Sequence, residues 1–226
     1  MALINRKHSL TILLSLALPF SAIAGKAQPP SVSFDGMELV NHSRSSHVYR
    51  KADANFSSYN KIMLLPSTTA FKKDYKQDFN RSKSMGTTRI RDKDIEKMKK
   101  TVAETFDAVF TEELAKVEGY SLVTEAGEGV VIVKPALINL DAHAPDLRTA
   151  GNIRTYVETA GEGTLYLEFF DSVSGEILAR AVDARETRDT GFYSWATIVS
   201  NKADTRALVR SWAKKLSKKL VEVGQK

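Results

Sequence analysis

No cysteine occurs anywhere in the 226 residues. That absence excludes disulfides, thiolate-held zinc, cysteine-ligated iron–sulfur clusters, thiol catalysis and lipid attachment to cysteine. Three catalytic signatures are missing as well: a Gly-x-Ser-x-Gly elbow, a His-Glu-x-x-His pair and a Gly-Lys-Ser/Thr phosphate loop. No internal repeat is present, and beyond residue 24 no run is apolar enough to cross a bilayer. What remains is globular in composition, 42% hydrophobic and 27% charged, which argues against wholesale disorder and is long enough to bury a core.

The N-terminus is the most informative stretch. Arg6, Lys7 and His8 precede an apolar run over residues 10–20, and Ala22-Ile23-Ala24 follows. A basic region, a short apolar core and a small-x-small site are the three parts of a secretory signal peptide, with cleavage expected after Ala24. The expected location is therefore periplasmic or secreted, including a peripheral position at the outer membrane. Removing residues 1–24 lowers the formal charge from +6 to +4, 31 basic against 27 acidic groups. The charge is unevenly spread: residues 71–93 carry a net +5, residues 201–226 a net +6, and residues 94–200 a net −9.

Patterning divides the exported part into an extended polar leader over 25–56 and a single α+β domain over 57–226, with a basic loop at 71–93. Lys61-Ile62-Met63-Leu64-Leu65, ended by Pro66, reads as a buried strand. Ile95, Met98, Val102, Phe106, Val109, Phe110, Leu114 and Val117 recur at three- and four-residue steps and predict a helix over 92–117. Asp92 or Asp94 is placed to cap it and Gly119 to stop it. Short apolar and alternating runs predict strands over 120–123, 129–140, 163–170 and 177–184, the last two joined by a hairpin turn at Gly175. Residues 142–162 read as a loop or a ragged strand around 154–157. Leu208, Trp212, Leu216 and Leu220 step by four in a second helix over 203–223, with Asn201 and Asp204 as its capping pair. The fold class is α+β, a mixed and mostly antiparallel sheet with two amphipathic helices packed on it.

Three segments carry a family resemblance: residues 54–66, residues 131–137, and residues 163–183 with their Asp171-Ser172-x-Ser174-Gly175-Glu176 turn. They resemble a bacterial family, domain of unknown function 3313, whose members are mostly envelope lipoproteins. The resemblance spans about residues 34–220 and implies an exported envelope protein without enzymatic activity. Many relatives carry a lipobox cysteine where this chain reads Ala22-Ile23-Ala24-Gly25, so lipid anchoring does not transfer.

Candidate chemistry is thin. Asp141, His143 and Asp146 lie within six residues but lack a fourth metal ligand, and His42 and His47 lie in the polar leader. Glu168, Asp171 and Glu176 flank one hairpin, which does not oppose two carboxyls across a cleft. No catalytic residue, metal site or cofactor is expected. Lys72, Lys73 and Lys76 in the basic loop, with Lys214 and Lys218 in the last helix, are candidate anion-binding residues. Phe192, Tyr193 and Trp195 are candidate partner-binding residues. The expected function is a non-enzymatic envelope interaction module whose partner is an envelope protein or an anionic envelope polymer, not nucleic acid. The alternatives are a hydrolase or metal-dependent envelope enzyme, and a binder of anionic surfaces or polymers.

Overall fold

Residues expected to form an extended leader contribute two strands, β1 (Glu38–His42) and β2 (Ser46–Arg50). The structure is a computed structural model that describes residues 28–82, 89–142, 155–157, 161–186, 194–196 and 198–224. Residues 1–24, expected to be a signal peptide, lie outside the described residues, as do His143, Asp146, Phe192 and Tyr193. After one turn of 3-10 helix over Phe56–Ser58 come β3 (Lys61–Leu64), β4 (Thr68–Phe71), the short α1 (Tyr75–Arg81) and α2 (Asp92–Leu114). Then follow β5 (Ser121–Leu122), β6 (Val130–Ala142), β7 (Thr155–Val157), β8 (Gly161–Asp171), β9 (Ile177–Glu186), β10 (Ser194–Ala196) and α3 (Ile198–Gly224).

The main sheet runs β1-β2-β9-β8-β6-β3-β5, with β4 also paired to β6. From β1 to β6 each neighbouring pair is antiparallel, whereas β3 and β4 lie parallel to β6 and β5 parallel to β3. Pro66 interrupts the run between β3 and β4, so the two share one edge of β6 end to end: Leu64 stands opposite Val133 and Thr68 opposite Ala136. β7 and β10 form a separate two-stranded ribbon in which Trp195 stands opposite Tyr156.

Both long helices pack on one face of the sheet. The α2 stripe predicted from spacing is the buried one, with Phe106, Val109, Phe110 and Leu114 against Ile62, Val131 and Val133 of the sheet in one apolar cluster. Val209, Trp212, Ala213 and Leu220 of α3 join the same cluster with Leu165, Leu167 and Phe169. Asp94 accepts the Arg91 backbone N–H at 2.9 Å, which makes it the carboxylate that steadies the start of α2. Glu113, buried between the helices, accepts from Arg210 Nε and Lys116 Nζ, each at 3.1 Å.

Two local readings are corrected. The basic segment is not one loop: its first part completes β4 and winds into α1, where Phe71 stacks on Tyr75 and Tyr75 meets Phe79 at a tilt, with ring centroids 4.6 and 6.2 Å apart. The last helix begins at Ile198, so Asn201 and Asp204 fall inside it and not at its cap.

The turn before β6 rests on one glycine. Gly129 has φ +72° and its carbonyl accepts the N–H groups of both Asn60 and Lys61 at 3.1 Å. A Cβ there would lie 3.1 Å from Asn60 Oδ1. Gly129→Ala is therefore expected to cost about 1–2 kcal/mol, because an L side chain is strained in the left-handed region. A urea unfolding curve checks it; a midpoint unchanged from the parent would contradict this turn.

Candidate functional site

The carboxylates around the β8–β9 hairpin are structural. Asp171 accepts from the Val173 and Ser174 N–H groups at 3.0 and 2.6 Å, and from Ser174 Oγ and Tyr59 OH at 2.9 and 3.0 Å. The Ser174 backbone bond leads the effects that hold its carboxyl below the ordinary range. Burial, then the Asp171 hydrogen bond, pushes the Tyr59 phenol up to about 12. Ser172 Oγ donates to the Gly127 carbonyl at 2.7 Å, and Glu176 pairs with Lys51. The Asp-Ser-x-Ser-Gly-Glu run is thus a turn that pins one end of the sheet.

On the helix-free face, Lys134, Glu168, Arg180 and Tyr49 stand in one row across β6, β8, β9 and β2. Arg180, 7% exposed, donates from Nη1 and Nη2 to the two Asp35 oxygens at 3.1 and 2.7 Å, and from Nη2 to Glu168 Oε1 at 3.2 Å. Phe34 and Tyr166 flank its guanidinium, 5.1 and 5.7 Å from their ring centres. Tyr49 OH donates to the Pro30 carbonyl at 2.9 Å. The Arg180 hydrogen bond holds the Asp35 carboxyl down to about 2. This is a clamp of the 30–37 segment onto the sheet, closed by its own ion pairs.

Beside the clamp lies an open polar depression of about 1240 Å³, with His42, Arg44, His47, Lys72, Glu162 and Arg185 on its walls. Its central charges are satisfied within the protein. Lys72 pairs with Asp141 at 2.9 Å and with Glu162, and these hydrogen bonds, Glu162 first, keep its ammonium protonated beyond the ordinary lysine range. Arg185 donates to Asp183 from Nε and Nη2, both at 3.1 Å. Among the described residues no group of three or more His, Asp or Glu could hold a metal ion.

The opposite, helix-bearing face leaves a different opening. α3 covers β8 and β9 but not the outer strands, so a groove of about 310 Å³ runs between the helix and β2. Val48, Ala179, Ala181 and Leu167 form its floor, and Trp212, Leu216 and Leu220 its helical wall. Val40, 47% exposed, marks the mouth. The Trp212 indole lines this groove at 2% exposure, and its Nε1–H has no hydrogen-bond partner among the described residues. An unmet buried donor costs about 1–3 kcal/mol, so a wall built with one is notable. Arg50, Lys215 and Lys219 rim the groove; Lys215 reaches Asp183 at 2.8 Å and Lys219 reaches Glu222 at 2.6 Å.

The sequence-predicted residues do not converge on this groove. Lys72 and Lys76 lie in the β4–α1 region and are ion-paired, Lys76 with Asp92 at 2.5 Å. Lys73 is exposed there, whereas Lys214 and Lys218 are exposed on α3. Trp195 lies in β10. The step of four puts Trp212 in the helix stripe, but the groove depends on how far α3 reaches over the sheet. No helix among the described residues is long and apolar enough to cross a membrane.

Among solved structures, similar chains include a Xanthomonas campestris protein of the DUF330 family, 11% identical over 78% of this chain and 91% of that one, with a TM-score of 0.38. The PelC dodecamer from Paraburkholderia phytofirmans is 7% identical over 72% and 96%, with a TM-score of 0.33. A minor lipoprotein from Acinetobacter baumannii is 9% identical over 72% and 92%, with a TM-score of 0.30. No curated protein matches the chain. One family model does, over residues 31–216, nearly all of the part beyond the apolar N-terminal run, and the chain belongs to the family it describes, Protein of unknown function (DUF3313).

Proposed function

We propose that this is an exported, non-enzymatic protein of the bacterial cell envelope that works by holding a partner against its surface. The observation that carries the reading is the open groove beside α3: apolar within, cationic at its rim, and free of any cluster of groups suited to bond chemistry among the described residues. Arg180, Lys72 and Arg185, the charged groups of the clamp and the polar depression, are held in internal ion pairs, which favours the groove as the binding surface. Lys73, Lys214 and Lys218 support a secondary attraction to anionic envelope polymers, and Phe192, Tyr193 and Trp195 a further aromatic contact just before α3.

Two measurements test the reading together. Fractionation and mass spectrometry should find the protein in the periplasm with Gly25 at its N-terminus; retention of residues 1–24 in the cytosol would overturn the export. A photo-crosslinking side chain placed at Val40, at the mouth of the groove, should capture an envelope component in living cells. The same group at Lys100, on the exposed side of α2, should not. Equal capture from both positions would remove the groove as the binding surface.

A further inference from the structure

We propose that the groove between α3 and β2 binds one acyl chain of a single-chain, anionic amphiphile, with its headgroup at Arg50 and Lys219. This rests on the reading of the protein as a binding module and names what that groove takes. Three independent features specify the occupant. The floor and wall, Val48, Ala181, Trp212 and Leu216 among them, are hydrocarbon and aromatic, which suits a chain and not a polar polymer. The volume, about 310 Å³, stands at the low end of the roughly 300–1,000 Å³ typical of small-ligand sites, room for one chain and not two.

The third feature is polar. Trp212, a residue of the groove wall, carries a buried Nε1–H with no hydrogen-bond partner among the described residues, a donor suited to an acceptor oxygen such as the carbonyl or ester next to a lipid headgroup. At the rim the charge is cationic on balance. Asp183 is already matched by Arg185 and Lys215, and Glu222 by Lys219. Arg50 is exposed and forms no ion pair among the described residues. An apolar slot with a lone internal donor and a basic mouth is complementary to an acyl chain, its carbonyl and an anionic head, in that order from the inside out.

The test is calorimetry of the exported protein with straight-chain carboxylates below their micelle concentrations. Dodecanoate should bind with one site per chain, and affinity should rise about fourfold per added methylene until the groove is full. Dodecyltrimethylammonium, with the same chain and the opposite charge, should bind at least about tenfold more weakly. Ala181→Trp, which fills the floor, should abolish binding, and Trp212→Phe, which removes the donor together with part of the ring, should weaken it about three- to tenfold. Because core substitutions can impair folding, the surface pair Arg50→Glu with Lys219→Glu supplies a second arm: it should reverse the preference between the two amphiphiles. Affinity independent of chain length, or undiminished in the surface pair, would overturn the proposal. Dioleoyl phosphatidylglycerol vesicles separate a chain in a groove from attraction to a surface. Retention on vesicles that resists competing dodecanoate would also overturn it. If dodecanoate fails to bind while the Val40 crosslink persists, the lipid assignment falls and the binding-module reading stands; loss of both removes both.

Discussion

Arg180→Met is expected to lower the unfolding free energy by about 3 kcal/mol, in the range found when one member of a buried ion pair is removed. The guanidinium is 7% exposed and serves two carboxylates at once, Asp35 from the N-terminal segment and Glu168 from the neighbouring strand. Without it Asp35 loses both of its guanidinium bonds, while Glu168 keeps only a 3.5 Å approach from Lys134 and a 3.3 Å bond from Tyr166. Asp35→Asn should cost less, because Arg180 retains Glu168. The acid limb offers a second readout. The Asp35 carboxyl is depressed from an ordinary 3.8 to about 2, so its contribution is complete above about pH 4 and is lost as pH falls toward 2. It amounts to about 2 kcal/mol. Parent and Asp35→Asn stabilities, measured by urea unfolding from pH 7 to pH 2, should therefore converge at the acid end. Parallel curves across that range would show that the clamp is not formed in solution.

Phe106→Ala should be at least as damaging, costing about 3–5 kcal/mol. Phe106 is fully buried at the centre of the α2 stripe and stacks on Phe110 with ring centroids 4.0 Å apart. Its surroundings are a helix face and a sheet that cannot both close over the space a ring leaves, so the cavity penalty adds to the lost transfer energy. Phe106→Leu keeps most of the volume and should lose about 1–1.5 kcal/mol. Urea unfolding of the two variants distinguishes the cases. Equal losses would mean that ring stacking, and not volume, carries the stability at this position.

The features legible in the sequence are those written in one continuous stretch of chain. The α2 stripe, the apolar opening of β6 and the alternation of β8 each repeat one burial environment at a fixed spacing, so the local pattern names the element. β1 and β2 escape this reading because their two faces meet different surroundings. Val48 lies in the groove while adjacent Tyr49 is covered by the chain near Pro30, and two neighbouring apolar residues carry no period. α1 was in principle legible: Phe71, Tyr75 and Phe79 are spaced by four, a signal hidden among the surrounding lysines. Alternation along β9 sets Arg180 on the face opposite Ala179 and Ala181, where it lies. Its burial was not readable, since Asp35 is 145 positions away. The groove is the extreme case. It is a space left uncovered by α3, and no run of residues encodes an absence of cover.

The pairing of β2 with β9 sets Ser46 opposite Asp183 and Arg50 opposite Ala179, near the two ends of the folded chain. A sheet closed by such distant partners forms slowly, because the loop entropy is spent before the pairing returns anything. The outer strands therefore cannot dock until the β8–β9 hairpin exists. A chain cut between residues 142 and 177 retains residues 61–133, with the parallel strand pairs at their ends, but has lost the partner of its N-terminal strands, the anchor of Asp35 and the β9 part of the groove floor together. Integrity of the chain through β9 is therefore the condition for closing the sheet and for forming the groove at all.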